Sequence, residues 1–119
     1  MPRFKDATGR EWTLRITCAT LQHFEEKTGA NIFDPKVLSG IDKSLGKMCT
    51  LAYFACGEQA RKLNISQEEF GEGIDSDLLM MAMIEAGGEA LMLFFQSRQS
   101  QDQKAADSAS RGHGSKSTK

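Results

Sequence analysis

Apolar positions along this chain recur with three different spacings, and each spacing predicts a different element. Near the start, Trp12, Leu14 and Ile16 alternate with Thr13, Arg15 and Thr17, after a first segment over residues 3–6 and the run Ala-Thr-Gly-Arg. Alternation with period two around a Gly-containing turn predicts a β-hairpin with one buried face. A lone hairpin is marginal in water, so Phe4, Trp12, Leu14 and Ile16 are expected to press on a helix.

From Thr17 onward the spacing changes to three and four. Thr17 or Thr20 can cap a helix that runs to about Thr28, with Leu21, Phe24 and Cys18 turned inward. Gly29, after Lys27 and Thr28, suits the left-handed residue that ends such a helix. Asp34 and Pro35 open a brief helical turn as cap and first residue, with Val37 and Leu38 as anchors and Gly40 at its end. One longer helix then begins near residues 41–44. It keeps its spacing through Leu45, Met48, Leu51, Ala52, Ala55 and Cys56 as far as Arg61 and Lys62. Ser66-Gln-Glu-Glu69 fits a capping box, which places Phe70 on a short helix ending around residues 71–73.

The third pattern covers residues 76–98 and is apolar on more than one side. Leu79, Met83, Ala86, Ala90 and Phe94 form one stripe, and Met80, Ile84, Leu91 and Phe95 a second beside it. A helix resting on one side of a small domain needs only one such stripe. Asp77, Glu85, Glu89 and Gln96 want water. The expected architecture is mainly α: an N-terminal β-hairpin packed on a small bundle of four to five helices. Residues 1–98 would form the compact domain and residues 99–119 a disordered polar tail, since that tail carries no large apolar side chain.

A chain of 119 residues holds one domain at most. The formal net charge of −1 lacks the concentrated basic footprint of a nucleic-acid binder. Residues 76–98 are interrupted by Gly87-Gly88 and by acids, so neither a membrane span nor a leader peptide is expected. Cys18, Cys49 and Cys56 show no metal-ligand spacing and suit a reducing, cytoplasmic setting as free thiols. His23 sits among Phe24, Glu26 and Lys27 as a surface side chain, and His113 has no second ligand beside it. Glu25-Glu26 and Glu68-Glu69 are adjacent pairs that point apart on a helix. No phosphate loop and no base beside a Ser or Cys is present, so no enzyme, cofactor or metal is expected.

Two features carry more weight. Met80, Met81, Met83 and Met92 lie on the last helix together with Phe94 and Phe95. Such side chains fill gaps in a core or present an adaptable apolar surface to a partner. Gly87-Gly88 costs about 1 kcal/mol per glycine relative to Ala in mid-helix. The pair is either a tolerated kink or a place of close approach by another helix or a partner chain. Of the two stripes, Met80, Ile84, Leu91 and Phe95 are expected to face outward as the partner-binding set.

The opening FKDATGREWTLRITCATLQHFEEKTGANIFD resembles the start of phage tail assembly chaperones of long-tailed phages and related tail-like particles. The positions that carry the likeness are Phe4, Gly9, Trp12, Leu14, Arg15, Leu21, Glu25, Thr28, Gly29, Asn31 and Ile32. The block ISQEEFGEGI at residues 65–74 and the closing hydrophobic helix are similar too. The pattern spans about 95 residues through short motifs that fit a scaffold, not a catalytic set. This resemblance implies a small, mostly helical, non-catalytic protein of the bacterial host cytoplasm. It would bind the long apolar tape measure protein and keep it soluble before the tail tube polymerises. Recruitment of tail tube subunits is an additional role that the resemblance allows. In many relatives a ribosomal frameshift near the end adds a second domain. The alternatives are a small helical adaptor that self-associates through its final helix, and a tail-completion or connector protein that stays in the particle. A chain ending at Arg98 is expected to melt within about two degrees of the full chain; a larger drop would show that the polar tail packs on the body.

Overall fold

A computed structural model describes the backbone of residues 1–111 and the side chains of residues 1–97. It is mainly helical, with a two-stranded antiparallel hairpin at the N-terminus. Strands β1 (Arg3–Lys5) and β2 (Glu11–Thr13) pair so that Phe4 lies opposite Trp12. Period-two burial continues past the strand through Leu14 and Ile16, as the alternation predicts.

The turn between the strands is built on one carboxylate. Asp6 accepts hydrogen bonds from the backbone N–H of Thr8 (3.0 Å) and of Arg10 (3.1 Å). It also accepts from the Thr8 hydroxyl (2.7 Å), the Arg10 Nε (3.1 Å) and the Trp12 indole N–H (2.9 Å). Gly9 takes the left-handed conformation, φ 89°, that this tight turn requires. Trp12 is fully buried and meets Phe70 edge to face at 5.1 Å, with Phe4 and Tyr53 on the same ring at 6.1 and 5.5 Å. The hairpin therefore presses on the short helix that carries Phe70.

Six α-helices follow: α1 (Cys18–Thr28), α2 (Pro35–Gly40), α3 (Leu45–Ala55), α4 (Gly57–Leu63), α5 (Gln67–Glu72) and α6 (Asp77–Arg111). Thr17 caps α1 in a reciprocal pair with Thr20, and Gly29 ends it at φ 72°. Asp34 caps α2 with Pro35 at its first position, Ser66 caps α5, and Ser76 accepts from the Leu79 N–H at the start of α6. Thr17, Asp34 and Ser66 are among the capping residues read in the sequence.

Three placements differ. The single long helix expected from Leu45 to Lys62 is two. The Ala55 carbonyl at the break accepts from the Arg15 N–H (3.0 Å), and Gly57 follows, so hairpin and glycine together end α3. Cys18 is exposed at the first position of α1, where Thr20 takes the inward place. Leu38 is exposed on α2, and Ile41, in the 3-10 turn Ile41–Lys43, is the buried anchor instead. As for the expected polar tail, the helical backbone of α6 continues through residue 111, and residues 112–119 lie outside the described part.

Burial alone raises the Asp6 carboxyl, but hydrogen bonds from Thr8, Trp12 and Arg10 outweigh it and lower it from 3.8 to about 2. The folded state thus binds this proton more weakly than the unfolded chain. The stabilisation, on the order of 2 kcal/mol, is complete above about pH 4 and is lost as pH falls toward 2. Denaturant unfolding between pH 2 and 5 should show that loss, and Asp6→Asn, already less stable at pH 7, should show a flatter profile. An unchanged slope in the variant would assign acid sensitivity to other carboxylates.

Candidate functional site

Helix α6 packs chiefly on α3 and β1, and this contact divides it into an inner and an outer side. Met83, Ala86, Gly87, Ala90 and Leu91 face inward and are buried. At Gly87 a Cβ atom would stand 2.6 Å from the Met48 sulfur, so the Met48 side chain of α3 occupies the space that the missing Cβ leaves on α6. Gly88 is the opposite case, with nothing within 4 Å of its Cβ position. Of the two roles open to the glycine pair, Gly87 serves approach by a helix of the same chain, and Gly88 lies on open surface.

The expected outward set does not hold as a group. Leu91 is only 5% exposed and belongs to the core, because it lies one helical turn from Gly87 on the side that meets α3. Met80, Ile84 and Phe95 are half-buried and pack against the core from its flanks. Phe95 meets Phe33 edge-on at 5.9 Å and Phe94 at 5.5 Å. Of the alternative stripe, Met83, Ala86 and Ala90 are buried, while Leu79 and Phe94 are half-buried.

The apolar side chains that do face outward are others. Leu78 is 80% exposed, Met81 57%, Met92 61% and Leu93 46%. Residues 78, 81, 85, 88 and 92 form one row at helical spacing, so Leu78, Met81 and Met92 share a face with Glu85 and Gly88. That row was present in the sequence. Glu85 marks the solvent side, and three large apolar residues sit at i−7, i−4 and i+7 from it.

Two open grooves flank Phe94. One, of about 610 Å³, runs between α1 and the 31–33 turn and is lined by Cys18, Leu21, Ile32 and Phe33. The other, of about 400 Å³, lies between the N-terminal strand and α6, lined by Met1, Leu14, Ile16 and Leu93. Leu93, which lines the second groove, is exposed next to Met92, so this groove and the outer row adjoin near residues 92–94.

Little in the described residues suggests chemistry. No group of three or more His, Cys, Asp or Glu is placed to hold a metal among them. Burial pushes the Cys56 thiol up to about 12 and raises that of Cys49, which leaves both as poor nucleophiles. His23 stacks on Phe54 at 5.3 Å and lies 3.7 Å from Glu26 on the surface. Residues Asp77–Ser97, with mean hydropathy 1.7, are long and apolar enough to cross a membrane by length and composition, a test that a core helix also passes. Comparison with protein-family models, with curated proteins and with solved structures finds no match to this chain.

The two glycines should respond oppositely to alanine. Gly88→Ala should stabilise the chain by up to about 1 kcal/mol, the helix-propensity difference in open space. Gly87→Ala gains the same propensity but must displace the buried Met48 side chain, at a cost of about 1–3 kcal/mol, and should lower the melting temperature. Thermal unfolding of both variants checks this; Gly87→Ala melting above the parent chain would mean that Met48 has a second place to go.

Proposed function

We propose that this chain is a non-catalytic tail assembly chaperone that binds the tape measure protein and keeps it soluble. The observation that carries the proposal is the exposed row Leu78, Met81 and Met92 on a helix whose other side is core. An extended apolar client aggregates unless it is covered at many points, and flexible methionines repack on different segments of one. The resemblance of residues 4–34 and 65–74 to tail assembly chaperones supplies the client.

The outward set in this proposal is revised to Leu78, Met81 and Met92, with Met80, Ile84 and Phe95 at its margins. Met81→Ser with Met92→Ser should leave melting nearly unchanged, since both side chains are exposed. The same pair should abolish co-purification with a co-expressed tape measure protein. Leu91→Ser serves as the contrast: it should lose about 2–5 kcal/mol of stability as a core truncation. A double variant that solubilises the client as well as the parent chain would overturn the proposal. Finding the chain in purified particles in stoichiometric amount would do so too, because a chaperone leaves.

A further inference from the structure

Residues 64–97 contain seven acids and no Lys, Arg or His, an imbalance found nowhere else in the chain. Two of those acids, Glu85 and Glu89, lie on the exposed side of α6 beside Met81 and Met92. Neither takes part in an ion pair among the described residues. From residue 78 to residue 92 the face is about 21 Å long, enough for about four turns of a partner helix. At its middle, Gly88 leaves a notch with nothing within 4 Å, where a bulky side chain could seat.

We infer that this face docks a basic amphipathic helix. Its apolar residues lie over Met81, Gly88 and Met92, and Lys or Arg on its margins stand opposite Glu85 and Glu89. Charge complementarity selects this occupant over two others. A second copy would bring the same acids against each other across the contact. An anionic membrane surface attracts basic segments and would repel a face whose charges are all negative. The inference deepens the chaperone proposal, and rests on it only for which protein supplies the helix.

The test uses two synthetic helical peptides with the same Leu/Met stripe, one flanked by Lys and the other by Glu. Fluorescence anisotropy would measure their binding to the full chain at low and at raised salt. The Lys peptide should bind about tenfold more tightly, and the preference should shrink as salt screens it. Glu85→Lys with Glu89→Lys, both exposed positions, should reverse the preference. Equal binding of the two peptides, binding of neither, or a preference that survives the charge reversal would overturn the inference. So would a dimer that depends on Met81 and Met92, or binding to anionic vesicles in place of the peptide. The two proposals fail separately. An intact peptide preference without capture of the tape measure protein sinks the chaperone role alone. Capture that needs Met81 and Met92 but ignores the charge reversal sinks the basic helix alone.

Discussion

The Asp6 carboxylate is the constraint on which the rest of this fold depends. Its side chain is wholly buried, and five donors from Thr8, Arg10 and Trp12 converge on it. An unpaired buried charge would be costly, whereas a carboxylate with its lone pairs filled holds the turn closed. The same contact aims the Trp12 ring at Phe70, and the Arg10 guanidinium sits 5.7 Å from that ring. The hairpin is then tied to the loop between α5 and α6. Ala7 donates to the Gly73 carbonyl at 2.8 Å, and a Cβ at Gly73 would lie 2.9 Å from Asp6 Oδ2. One turn of five residues thereby holds the end of α5, just before α6 begins.

From that starting point, α6 has one place to lie. Met48, on α3, fills the space that Gly87 leaves, and Met83 and Leu91, one turn to either side of Gly87, are buried as well. Close packing of this kind fixes the rotation of the helix about its axis, because a turn by one residue would drive a side chain into Met48. The rotation decides which residues meet solvent. Leu78, Met81 and Met92 are exposed as a consequence of Gly87 being inside.

The sequence shows much of the fold and less of the site, for reasons that differ residue by residue. Capping residues act locally, so Asp34 and Ser66 were legible from their neighbours alone, and Thr17 as one of two candidates. Trp12, Leu14 and Ile16 were legible because a period of two leaves no freedom in which face is buried. The division of α3 from α4 was hidden, since it depends on Arg15 reaching the Ala55 carbonyl across the fold. Asp6 was hidden for a similar reason: a turn-forming Asp is common, and its bond to Trp12 exists only after the strands pair. On α6 the two expected stripes lie about 100° apart, and periodicity alone does not say which of them meets the core. The packing of Met48 against Gly87, a residue 39 places away, turns the Leu91 side of the helix inward, and no local pattern records it. The exposed row was marked by Glu85, and the signal lay in what shared its face.

An exposed apolar face is a hazard to a protein that must stay soluble, and its acids answer part of that hazard. Met81 and Met92 attract apolar surface without regard to its source. Glu85 and Glu89 add a sign to that attraction: they oppose contact with other copies of the same face and with anionic surfaces, and favour a cationic one. Because the inner side of α6 is held by Met48 and Gly87, the outer residues carry no share of the core. Substitutions there can alter the choice of partner while the hairpin, α3 and the Asp6 turn keep the fold. Separation of the two sides of one helix lets binding specificity change independently of stability.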